Sequence, residues 1–110
     1  MSQINTEELF EQMVVAAQGV LSNHWEEAKP FAENELKVLA NNLKLIGELK
    51  LQGKITEEQA KHYLEIQKSS ARIVLLTIEG LGILAVEGAI NAAFDVVKGT
   101  VNTALGWKLI

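Results

Sequence analysis

The sequence contains no cysteine, a single proline and few aromatic residues. Without cysteine it can form neither disulfides nor thiolate metal sites, and it lacks a cysteine nucleophile. The shortage of proline and aromatic residues, beside plentiful leucine, alanine, glutamate and lysine, favours helices over strands. We therefore expect an all-α protein that forms one helical domain over residues 1–110.

The sequence also lacks an excess of positive charge. Its net charge is −4, and its basic residues do not cluster. No basic face for a phosphate backbone is predicted, so nucleic acid is not expected as a partner. Residues 1–9 are polar and acidic and do not resemble a signal or transit peptide. We expect a cytoplasmic protein, or one within a virion that is assembled inside a cell.

One apolar stripe crosses the first half of the chain in steps of three or four residues. The steps average 3.6, the period of a straight α-helix. The stripe keeps its phase across Pro30, although proline inside a helix costs about 3 kcal/mol and kinks or breaks it. We therefore expect a first arm over about 6–51, either kinked near Pro30 or divided there into two collinear helices. The stripe consists of Phe10, Val14, Ala17, Leu21, Trp25, Ala28, Ala32, Leu36, Leu39, Leu43 and Ile46.

A turn is predicted at 52–56. Gly53 can adopt the left-handed conformation that ends a helix, and Thr56 can cap the next helix with Gln59 as its capping-box partner. These residues predict that the chain reverses and forms a long antiparallel helical hairpin.

The second arm starts at Glu57 and meets no clear stop signal before Gly99, so we expect it over about 57–98, followed by a C-terminal tail, 99–110. Two apolar faces run along it, more than a right angle apart, and one partner helix cannot cover both. We expect the first face to pack on the first arm, and the second to assemble several copies into an oligomeric helical bundle. The first face reads Tyr63, Ile66, Ser70, Ile73, Thr77, Leu81, Leu84 and Gly88. The predicted oligomer interface is Ile83, Val86, Ile90, Phe94, Val97 and Val101.

One carboxylate falls on the larger apolar face. Glu79 lies there among leucine and valine, where a charged group must find a partner, take up a proton or reach water. Arg72 lies two turns earlier on the same side. We expect a buried ion pair of Arg72 and Glu79, formed across an interface, that fixes the register of the assembly.

The second arm also contains one group of possible metal ligands. Glu58, His62 and Glu65 are spaced four and three residues apart, which places them on one helical face. The order His-x-x-Glu is the reverse of the Glu-x-x-His pairs of ferritin-like bundles. A metal-binding bundle is therefore an alternative interpretation, and a solvated face without cofactors is the favoured one.

The run from Ile73 to Val97 is long and apolar, but its three carboxylates argue against a transmembrane helix. A membrane-active helical hairpin is a further alternative. The sequence shows no set of residues for nucleophilic catalysis and no phosphate loop. We therefore expect a non-enzymatic structural protein that forms a homo-oligomer or a layer of a larger particle. Its apolar C-terminus is expected to dock onto another surface of the assembly.

Overall fold

The computed structural model describes residues 4–110, which are almost entirely helical and contain no strand. The all-α prediction is therefore confirmed for this part of the chain. A short 3₁₀-helix, Ser22–His24, lies between the first two α-helices. The α-helices are α1 (Thr6–Leu21), α2 (Trp25–Leu51), α3 (Glu57–Leu76) and α4 (Ile83–Leu105).

The four α-helices form an antiparallel bundle. Helix α1 packs on α2 and most extensively on α4, while α3 packs on the same two helices from the other side. Side chains at the helix ends show the directions: Ile4 lies at Gly47 near the end of α2, and Val20 lies at Gly88 near the start of α4. The longest dimension of the molecule is 43 Å. Each helix thus runs opposite to the two helices on which it packs most extensively.

The first predicted arm is divided, but not at Pro30. The chain reverses at Ser22–His24, where Ser22 has a positive φ of 46°. Pro30 lies inside the second turn of α2, which continues to Leu51. The predictions of one helix over 6–51 and of a collinear break at Pro30 are therefore wrong, whereas the kink at Pro30 stays a prediction. Pro30 is the sixth residue of α2 and lacks the amide that would bond to the carbonyl oxygen of Glu26, but Ser22 and Asn23 are the turn-forming residues of this region.

The predicted turn at 52–56 is present. Gly53 has a φ of 67°, and its amide donates to the carbonyl oxygen of Lys50. The Thr56 hydroxyl accepts from the Gln59 amide, and the Gln59 side chain accepts from the Thr56 amide. This capping box begins α3 as the sequence predicts.

The second predicted arm contains a further reversal at 77–82. Gly80 has a φ of 89°, a conformation that glycine adopts without the steric cost of a side chain. Helix α4 begins after Gly82 and passes the predicted stop at Gly99; it ends at Gly106, which has a φ of 70°. The second arm is therefore two antiparallel helices instead of one helix over 57–98.

The predicted oligomer interface lies in the core of the single chain. Val86, Ile90, Phe94, Val97 and Val101 are all buried by the chain's own helices. Only Ile83, at the start of α4, is exposed. The interface prediction is wrong because the turn at 77–82 folds α4 back against α1, α2 and α3.

A strip of small residues lets α1 approach α4 closely. It consists of Ala85, Gly88, Ala89 and Ala92, of which Ala89 is fully buried. A methyl group added at Gly88 would lie 3.2 Å from the Val20 side chain of α1. Small side chains on facing helices allow such a short separation. Helix α4 is therefore covered over a wide part of its circumference.

Candidate interaction surface

The structure does not assemble the metal site that the sequence offers as an alternative. Glu58, His62 and Glu65 are exposed on α3, and Glu65 lies 3.6 Å from the ammonium group of Lys68. No three histidine or carboxylate side chains in residues 4–110 lie close enough together to hold a metal ion. The three residues belong to a solvated helix face.

Arg72 forms an ion pair, but its partner is Glu87 of α4 and not Glu79. Both side chains of the pair are only partly exposed. Glu79 lies in the turn between α3 and α4, where it is exposed to solvent. The prediction of an Arg72–Glu79 pair is wrong because Glu79 is not helical. Arg72 and Glu87 meet within one chain and join α3 to α4.

The apolar C-terminal residues pack on the chain itself. Leu109 is buried, and the Asn102 side-chain oxygen accepts hydrogen bonds from the amides of Leu109 and Ile110 at 3.0 and 3.1 Å. The ammonium group of Lys50 lies over the Trp107 ring and donates to the carbonyl oxygen of Leu105. This segment closes one end of the bundle, so its apolar character is explained without a partner.

A groove of about 710 Å³ lies at the same end of the bundle, between the ends of α2 and α4. Ile4, Gly47 and Leu105 contribute to its apolar wall. Lys50 also lines the groove, but its ammonium group is already bonded within the fold. The groove therefore presents mostly apolar surface and no group of catalytic side chains.

A different apolar surface is exposed along α2. Phe31, Val38 and Leu45 are spaced seven residues apart and are 48%, 42% and 42% exposed. Seven residues are close to two helical turns, so the three side chains form a line on one side of α2. The hydrogen bond from the Tyr63 hydroxyl to the Asn42 side chain marks the side on which α3 lies. At about 100° per residue, the line runs next to that side, along the outer edge of α3.

Helix α3 adds two isoleucines to this surface. Ile66 and Ile73 are 53% and 67% exposed and lie opposite the buried residues Ala60, Leu64 and Ala71. Both belong to the face that the sequence predicts to pack on the first arm. That prediction is wrong for these two residues, because α3 contacts α2 through Tyr63 and its neighbours instead.

The exposed residues of α2 and α3 lie at matching heights. Counting along the antiparallel pair from the Asn42–Tyr63 contact, Val38 lies beside Ile66 and Phe31 lies beside Ile73. The five residues therefore form one surface, which we call the outer face. The outer face comprises Phe31, Val38, Leu45, Ile66 and Ile73.

Two leucines extend the outer face toward the turn between α3 and α4. Leu76 and Leu84 are 39% and 86% exposed. Counting from the Arg72–Glu87 pair, they lie at the same height on neighbouring helices. Large exposed apolar surfaces of this kind are typical of interaction sites on soluble proteins.

No family model, curated protein or solved structure matches this chain. No helix within residues 4–110 is both long enough and apolar enough to cross a membrane. Within the described residues, the outer face is therefore the feature from which we infer a function.

Proposed function

We propose that this protein is a non-enzymatic assembly protein, a helical bundle that binds copies of itself through the outer face and so builds a homo-oligomer or a layer of a larger particle. The observation that supports the proposal is the set of large apolar side chains that stay exposed on the outer face of α2 and α3. The residues first expected to form the interface stabilise the monomer instead, so the outer face takes over that role.

The outer face is available for association because its side chains are not part of the buried core. The buried side chains of α3, including Leu64 and Leu75, already pack into the bundle. Phe31, Ile66 and Ile73 are still 48–67% exposed, so association can supply the remaining part of the free energy of about 1.5–3 kcal/mol that complete burial of each side chain gives. Association is the simplest way to recover that free energy.

The mass of the protein in solution tests the proposal. We expect light scattering over a micromolar concentration series to give a mass that rises above the 12.1 kDa of the monomer. The Ile73→Glu variant should remain monomeric over the same range, because a charge buried within the contact is desolvated at a high cost.

Val15→Glu provides the matched control. Val15 is 69% exposed, as Ile73 is 67% exposed, but it lies on α1, which makes no contact with α3 across the bundle. This variant should associate like the parent protein. A parent chain that remains a monomer at all these concentrations would overturn the proposed function, and so would equal association of both variants.

A further inference from the structure

The outward strip of α3 has an internal symmetry that suggests how a second copy binds. The strip consists of His62, Ile66, Ser69, Ser70, Ile73 and Thr77, and all six residues are exposed. Each residue has a counterpart equally far from the midpoint between Ser69 and Ser70. Ile66 corresponds to Ile73 in this way, and His62 corresponds to Thr77. Two-fold interfaces require such self-complementary surfaces, because the same patch is used by both copies.

The smallest side chains of the strip lie at its centre. Ser69 and Ser70 are small, so two α3 helices that cross there can approach closely, while the isoleucines on either side pack against each other. The Ser69 hydroxyl is already within 3.3 Å of the Arg72 guanidinium group of its own chain. The serine pair is small enough for a close contact, and the hydroxyl of Ser69 is already bonded within its own chain.

Charge does not oppose a second copy along the α3 strip. The strip from Ile66 to Thr77 has no charged side chain on its outward side. The two cations of that segment turn toward α4, where Lys68 lies over the Phe94 ring and Arg72 pairs with Glu87. Two identical α3 strips can therefore meet over this segment without like-charge repulsion, although each chain has a net charge of −4.

Helix α2 favours an antiparallel arrangement of the two copies. An in-plane two-fold axis through Ser69 and Ser70 places α2 of one copy opposite α2 of the other. From the Asn42–Tyr63 contact, the same height on α2 falls between Phe31 and Val38. Phe31 of one copy then lies next to Val38 of the second copy, which adds apolar area beside the isoleucines.

The contact is smaller than a standard specific interface. The strip from His62 to Thr77 is about 22 Å long, and two neighbouring helices are about 20 Å wide. The resulting footprint is on the order of 450 Å² per copy before side-chain relief is counted, so the two copies together bury about 900 Å², in the size range of weak or transient interfaces. We therefore expect a dimer that dissociates on dilution.

Resting on the proposed function, we infer that the partner of the outer face is a second copy of this chain, bound antiparallel with α3 on α3. The two-fold axis passes between Ser69 and Ser70, and Ile66 of each copy packs on Ile73 of the other.

Because the natural sequence has no cysteine, single-cysteine variants can locate the contact. We would mix the His62→Cys and Thr77→Cys variants, distinguished by a mass tag, and treat them with a short bis-maleimide reagent. Antiparallel helices bring position 62 of one copy to position 77 of the other. The expected result is a mixed 62–77 product that exceeds either homodimer at least fivefold.

The Ser70→Cys variant serves as a second reporter, since position 70 lies beside the axis and should cross-link to its own copy. Val15→Cys is the control and should yield no dimer above the background of random collisions. Light scattering of each variant before cross-linking establishes that it still associates.

The outcomes separate the two proposals. Association by mass with mainly 62–62 and 77–77 products would mean a parallel contact and overturn the antiparallel arrangement alone. Association without any product at positions 62, 70 or 77 would place the contact elsewhere and overturn this inference. A protein that does not associate at all overturns the proposed function as well.

Discussion

Helices α3 and α4 lie side by side, and each carries apolar residues on more than one side, yet they use them differently. In α4 the face that turns to the bundle interior is covered: Val86, Ile90 and Val97 are at most 1% exposed. In α3 the residues Ile66 and Ile73 remain more than half exposed. Helix α4 contacts α1, α2 and α3, whereas α3 contacts only α2 and α4, so the number of neighbours explains part of the difference.

The contacts between helices explain it. Small residues such as Gly88 and Ala89 let α1 lie close to α4, and α2 and α3 cover much of the remaining apolar surface on its inner side. Helix α3 meets its neighbours partly through long polar side chains, including Tyr63, Lys68 and Arg72. Hydrophobicity alone therefore does not distinguish a residue of the core from a residue of an interaction surface.

The largest expected difference between the two helices is in the cost of truncating an isoleucine. Ile90→Ala should lower the free energy of unfolding by about 2–5 kcal/mol, because it removes buried methyl groups and leaves a cavity. Ile73→Ala should change it by less than about 0.5 kcal/mol in the monomer. Urea unfolding at low protein concentration measures both values. Similar losses for the two variants would contradict the assignment of Ile73 to the surface.

The turn between α3 and α4 gives a prediction in which the sign of the change in stability distinguishes a turn from a continuous helix. Gly80 has a φ of 89°, and the nearest atom to an added methyl group, on His24, would be 3.5 Å away. Gly80→Ala should therefore destabilise the protein by about 1–2 kcal/mol through backbone strain alone. If residues 77–82 were instead part of one continuous helix, the same substitution would stabilise the protein by about 1 kcal/mol. Thermal unfolding followed by circular dichroism distinguishes the two results.

The ion pair between α3 and α4 should make a smaller contribution. Glu87→Gln removes the partner of the partly buried Arg72 and should cost about 1 kcal/mol. Glu79→Gln, in the exposed turn, should have no measurable effect. Unfolding in low and high salt provides the measurement, and only the Glu87 variant should lose part of its salt dependence. A larger effect at Glu79 would restore the pairing expected from the sequence.

The smallest effect concerns two glycines within α4. A methyl group at Gly99 meets no atom within 4 Å, whereas one at Gly88 lies 3.2 Å from the Val20 side chain. Gly99→Ala should stabilise the protein by about 0.5–1 kcal/mol, since alanine is the better helix former. Gly88→Ala should gain less, because α1 must move or Val20 must rotate. Equal gains in urea unfolding would mean that α1 and α4 are not closely packed at Gly88.

Much of the burial pattern could be predicted from the sequence. Most of the first stripe, including Ala17, Leu36 and Ile46, is buried in the bundle. The turn at Gly53 and the cap at Thr56 also follow from local residue types. These features depend on helix period and on nearby backbone hydrogen bonds, which the sequence specifies directly.

The reversals at 22–24 and 77–82 could not be placed in the same way. A stripe can keep its phase across a reversal, because both helices face the same core, so periodicity does not distinguish a continuous helix from two antiparallel ones. The signals were weak: Ser22 with Asn23 in one place, and Gly80 with Gly82 in the other. Because the second reversal is not predicted, the two apolar faces of the second arm have roles opposite to those expected. The predicted oligomer interface is core, and the face predicted to pack on the first arm is partly exposed.

Local residue patterns are sufficient to predict that the described chain is all-helical, where α2 ends and α3 begins, and that most of the first stripe is buried. The packing of the helices determines that α4 folds back into the core, that Arg72 pairs with Glu87, and that Ile66 and Ile73 remain exposed. The physical reason is that helix formation and capping depend on residues a few positions apart. Burial of a second apolar face depends instead on which distant helix reaches it, and the reversals of the chain set that choice.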